Sequence, residues 1–121
     1  EMKEEVRKWI KLAEEDFETA KANFEIKKYR FASYLCQQTV EKSLKALLLK
    51  KTGKIIKIHD LVELGKLVGI EGRFFNYIDK LTHIYLESRY PDASEMSYTP
   101  DETKEDIKIA QEILKWAKEN I

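Results

Sequence analysis

RFASYLCQQTVEKSLKALLLKKTG, residues 30–53, is the stretch on which the fold turns. It holds no proline, and its one glycine stands at the end. Projected at about 100° per residue, Ala32, Cys36, Thr39, Val40, Ser43, Leu44 and Leu47 fall on one stripe. That spacing predicts a helix from about Arg30 to Thr52, with Gly53 as a left-handed C-cap. A second sector gathers Gln37, Gln38, Glu41, Lys42 and Lys45, and the same sector carries Phe31, Tyr34, Leu35, Leu48 and Leu49. A solvated face seldom collects so much apolar area around amides and charges. The sector is therefore expected to be covered, either by another helix pair or subunit or as the wall of a polar pocket. The plainer alternative is that Glu41 and Lys45 form a surface i,i+4 pair worth a few tenths of a kcal/mol, with the leucines lying under neighbouring helices.

Outward from this stretch the chain reads as helix throughout. Upstream, Val6, Trp9, Ile10, Ala13, Phe17, Ala20 and Phe24 recur at steps of three and four over Met2 to Ile26; a hinge at Lys27 to Tyr29 follows. Downstream, Asp60 opens a short helix to about Val68, with Glu63 in capping-box position and Gly69 as terminator. A fourth helix over Arg73 to Ser88 carries Phe74, Ile78, Leu81 and Tyr85, and stops before Pro91. Thr99 then suits an N-cap, Pro100 the first helical position and Glu102 the capping box, ahead of Ile107, Ala110, Leu114, Ala117 and Ile121. No segment alternates as a strand would. The expected fold is all-α: an antiparallel up-and-down four-helix bundle with one additional short helix, forming a single domain over residues 2–121.

Composition narrows the function classes. Of 121 residues, 43% are hydrophobic and 36% charged, with a formal net charge of zero. This is a globular balance without the global positive field that holds nucleic acid or an anionic membrane. The Lys, Glu and Ile bias resembles that of proteins from heat-loving organisms. A local anion site is conceivable, because Lys42, Lys45, Lys50, Lys51, Lys54 and Lys57 run from helix into loop without an acid among them beyond residue 41; a solvated helix end explains the same run. Cys36 stands alone and the two histidines share no ligand spacing, so neither a disulfide nor a metal centre is expected. With no apolar span or signal sequence, the expected location is the cytoplasm.

Chemistry-bearing residues cluster in three places. His59 directly precedes the helix cap Asp60, where it could serve as a base or phosphate donor, or could bond a neighbouring helix end. Arg89, Tyr90 and Asp92 sit where a helix breaks; they could hold a nucleotide, or could fasten the loop to Glu41 and Lys45. His83 reads as a packing or surface residue. There is no glycine-rich phosphate loop and no nucleophile with a base at motif spacing.

Trp9, Ala13 and Asp16, QQTVEKSLKA at 37–46, His59 with Asp60, Leu61 and Leu64, and RYPD at 89–92 together resemble the HEPN family of prokaryotic helical domains. The resemblance spans nearly the whole chain. It implies a helical bundle of the kind also called a nucleotidyltransferase substrate-binding domain. It further implies a homodimer, a nucleotide or small nucleotidyltransferase as partner, and a place in toxin–antitoxin systems. Some members are metal-independent ribonucleases that use an arginine followed closely by a histidine. Arg30, Arg73 and Arg89 have no such histidine after them, and His83 precedes Arg89. The expected function is thus a non-catalytic binding module without cofactor. The alternatives are a ribonuclease with a non-standard Arg and His site and a purely structural or antitoxin-like partner. Candidate ligand residues are Gln38, Glu41, Lys45, His59, Arg89, Tyr90 and Asp92; candidate dimer-interface residues are Phe31, Tyr34, Leu35, Leu48 and Leu49.

Overall fold

Local chemistry sets each helix end in the computed structural model, which describes residues 2–88 and 98–121, with side chains over 3–81 and 98–121. The elements in order are α1 (Met2–Glu25), α2 (Tyr29–Thr52), α3 (Leu61–Val68), a 3-10 turn (Gly72–Phe74), α4 (Phe75–Ser88) and α5 (Pro100–Glu119). Gly53 ends α2 at φ 74°, its N–H donating to Leu49 O. Asp60 opens α3 by accepting from the amides of Val62 and Glu63, and Gly69 closes it at φ 70°. Thr99 Oγ1 accepts from the Glu102 amide, and Pro100 follows where an N–H would have no helical partner. The hinge between α1 and α2 is less comfortable. Lys27 takes φ 64°, a left-handed conformation usually left to glycine or asparagine.

Two boundaries differ from the sequence expectation. The 3-10 turn precedes α4, so the helix proper starts at Phe75, and α2 begins one residue early at Tyr29. The larger difference concerns α2, which packs against α1, α3, α4 and α5. Leu48 and Leu49, expected at a subunit contact, are buried inside the chain's own core at 2% and 5% exposure. The reason is that the last turns of α2 are enclosed on both of its sectors, while its first turns leave Phe31 exposed and Tyr34 and Leu35 half-buried. Its two flanks are apolar because a central helix must be apolar nearly all round.

The core runs from Val6, Ile10, Ala13 and Phe17 on α1, through Cys36, Val40 and Leu44 on α2, to Phe74, Ile78, Leu81 and the Ile109, Ala110, Ile113 stripe of α5. α3 and α4 meet closely at Gly65, where an added Cβ would lie 2.8 Å from Ile78 Cδ1. Among the described residues there is no strand, and no helix is long and apolar enough to cross a membrane.

Candidate functional site

Gln37, Glu41 and Lys45 follow one another at i,i+4 along a single ridge of α2, with Gln38 beside them. The ridge is enclosed: Gln37 is fully buried and Glu41 is 5% exposed. Buried polar groups need partners, and these supply one another. Gln38 Nε2 donates to Gln37 Oε1 at 2.6 Å, and Gln37 Nε2 donates to Glu41 Oε1 at 3.2 Å. The other carboxylate oxygen, Oε2, takes Lys45 Nζ at 2.9 Å and His59 Nδ1 at 2.9 Å. Each donor in this relay points toward Glu41, so the carboxylate is the sink of the network.

Two other elements complete the arrangement. From α1, the Trp9 ring lies 5.8 Å from Lys45 Nζ, and Asp16 pairs with Lys42. From the connection before α3 comes His59. Its neighbour Asp60 is pinned as the α3 cap, which fixes where the imidazole enters. His59 is also the outward end of the site, since its side chain is 57% exposed while that of Glu41 is 6% exposed. Accepting through Oε2, Glu41 orients the ring and selects Nδ1 as the nitrogen that carries hydrogen toward it. Residues that carried the family resemblance, Trp9, Asp16, Gln37, Gln38, Glu41, Lys45 and His59, thus gather into one place on α1, α2 and the entry to α3.

Most of the lysine run has structural employment. Lys42 and Lys45 are paired as above, Lys50 Nζ caps the end of α5 through Asn120 O at 3.0 Å, and Lys51 Nζ caps the end of α3 through Leu67 O at 2.9 Å. Lys54 and Lys57 remain exposed on the same connection as His59. Arg89, Tyr90 and Asp92 lie outside the described residues, as does the side chain of His83. Of the candidate interface residues still near the surface, Phe31 is 58% exposed, while Tyr34 and Leu35 are half-buried. Among the described residues no group of three or more His, Cys, Asp or Glu side chains could hold a metal ion.

A second polar cluster was not singled out from sequence. Asp106 on α5 is 1% exposed; its Oδ2 accepts from Ser33 Oγ at 3.0 Å, and Ser33 also reaches Thr103 Oγ1 at 3.3 Å. Lys80 Nζ on α4 lies 3.2 Å from Asp106 Oδ1, off the hydrogen-bonding direction, so this is a contact of charges. Burial pushes the Asp106 carboxyl above its ordinary range, against the opposing pull of Lys80 and Ser33. Burial, followed by the nearby Asp106 charge, likewise drives the Cys36 thiol far up, which makes it an inert core residue. The signal for Asp106 was available. Thr103, Asp106, Ala110, Ile113 and Ala117 recur at three and four, so the acid lies on the buried stripe and not with the solvated block around it.

Comparison with known proteins agrees with the architecture. The protein TT1696 from Thermus thermophilus superposes with a TM-score of 0.86 at 26% identity, over 96% of this chain and 98% of that one. ST0689, an archaeal HEPN homologue, gives a TM-score of 0.77 at 33% identity, over 93% and 94% of the two chains. No match was found among curated proteins. The sequence profile of the HEPN domain matches residues 6–121. The chain therefore belongs to the HEPN domain family.

Proposed function

We propose that this HEPN domain is a non-catalytic nucleotide-binding module that works as a homodimer alongside a nucleotidyltransferase partner. The observation that carries the reading is the network ending at His59. A buried carboxylate holds one exposed imidazole and one sheltered ammonium, and two glutamine amides are aligned behind it. Such a set suits a ligand with both hydrogen-bonding edges and negative charge: the partly exposed Gln38 amide, held by the buried Gln37 behind it, reads a base edge, and the imidazole with Lys54 and Lys57 meets a phosphate. As a purely stabilising device it would be a poor choice, because buried ion pairs are often no better than apolar packing.

Titration calorimetry with a panel of nucleoside mono-, di- and triphosphates tests this. One member of the panel is expected to give saturable heat that His59→Ala and Gln38→Ala both weaken at least tenfold. Silence across the panel, or unchanged heats in both variants, removes the site. The partnership is tested separately, by co-purification with a nucleotidyltransferase expressed from the same plasmid.

The Glu41–His59 pair also gives footing to a second reading, ribonuclease activity, because a carboxylate-oriented imidazole is the usual form of a general base. RNA cleavage that disappears in His59→Ala would favour it over the binding module.

A further inference from the structure

The Asp106 cluster plays no part in the proposed binding site, yet it joins three helices at one buried point. Among the described residues α4 packs on α2 and α3, and Lys80 is its charged link to α5. Beside this link, Tyr77 on α4 and residues of α5 line a surface groove of about 620 Å³. Lys80 stands one turn after Tyr77, and Asp106 stands between Glu105 and Ile107, which both line the groove.

We infer that Asp106 is a protonation-dependent latch between α4 and α5. As a carboxylate it holds Lys80 and keeps α4 against α5; as a neutral acid it keeps the Ser33 bond and lets Lys80 go. The groups facing it fit this role. From α2 it meets Ser33 and the buried Cys36, from α4 Lys80, and from its own helix Thr103 and Glu105. Lys80 supplies the one charge of opposite sign among these, while Glu105 favours the neutral acid. The Ser33 hydroxyl can serve either state, because it donates to a carboxylate and also to the carbonyl oxygen of a carboxylic acid. Lys80 is 39% exposed and reaches water on release, whereas Asp106 stays buried. Burial of the acid also places its protonation above the ordinary carboxylate range, within milder acidity than an exposed aspartate needs.

Hydrogen exchange of the α4 amides, read by mass spectrometry and corrected for intrinsic rates, tests the latch on the full chain. At neutral pH, Asp106→Asn and Lys80→Gln should each speed exchange over residues 75–81 by on the order of tenfold. Neither should lower the thermal midpoint by more than a few degrees. As the pH is lowered from neutral into acid, wild-type protein should approach the Asp106→Asn pattern, and that variant should show no further change. Unchanged α4 exchange in either variant overturns the inference. So does a general loss of protection in Asp106→Asn with a collapsed thermal midpoint, because the neutral occupant is required to fit.

Discussion

Glu41→Gln puts the central network to its most direct test. The change keeps the side chain's shape and one acceptor while removing the charge that holds Lys45, whose side chain is only 11% exposed. Breaking a fully buried pair by deleting one partner costs about 3–5 kcal/mol, mainly because the other charge is left stranded. Two features moderate that figure here. The Trp9 face near Lys45 offers a cation–π contact worth about 0.5–2 kcal/mol, and the exposed side of His59 loses little. The expected loss is therefore about 2–4 kcal/mol. At roughly 3–5 °C per kcal/mol for a chain of this size, the midpoint should fall by roughly 10 °C. Lys42→Ala is the internal standard. The Lys42–Asp16 pair is 24% and 19% exposed, so its loss should cost about 1 kcal/mol or less. Urea unfolding followed by helical circular dichroism measures both. A third protein, Glu41→Leu with Lys45→Met, removes both charges together and should recover most of the stability while abolishing nucleotide heats. If Glu41→Gln costs no more than Lys42→Ala, or the double variant is worse than the single one, the stranded-charge account is wrong.

Other outcomes follow from single sites. Gly65→Ala would push a Cβ to 2.8 Å from Ile78 Cδ1 and 3.0 Å from Ile70 Cγ2, so it should destabilise by about 1–3 kcal/mol, and Ile78→Val, which lacks the offending methyl, should return part of that in denaturant titration. Thr99→Ala removes the acceptor for the Glu102 amide and should cost about 1 kcal/mol by the same assay. Asp106→Asn should change stability with a definite sign across pH. A carboxyl raised in the folded state contributes stability that is complete below its unfolded value and lost as pH rises through its folded value. The variant should accordingly gain on wild type from acid toward neutral pH in paired urea titrations, and a gain in the opposite direction would refute it. Cys36, buried with its thiol pushed up, should resist a disulfide-exchange reagent in the native protein and react fully once unfolded.

Helix number and helix ends were legible in the sequence because local chemistry carries them: Gly53, Asp60, Gly69, Thr99 and Pro100 act within a few residues of themselves. The enclosure of α2 was not, although its cause was visible. Periodicity identifies a stripe but does not say what lies against the opposite side, and Leu48 and Leu49 could equally have met a second subunit or, as they do, the chain's own helices. For the site, i,i+4 spacing grouped Gln37, Glu41 and Lys45, and the grouping holds; the arrival of His59 depends on a contact across 18 residues, which spacing does not encode. Asp106 was hidden by its company. Surrounded in sequence by Asp101, Glu102 and Glu105, it reads as surface until its position on the Ala110 stripe is weighed against its charge.

Lys50 and Lys51, each closing the carboxyl end of another helix, have a consequence for how the protein responds to chemistry on its amines. Acetylation would abolish both the charge and two of the three donors at those tips, so the modified chain should fray at α3 and α5. Reductive methylation preserves the charge and should leave both ends intact. Labelling or crosslinking reagents that consume lysine charge would therefore report a partly unwound molecule, whereas charge-preserving ones would report the native form.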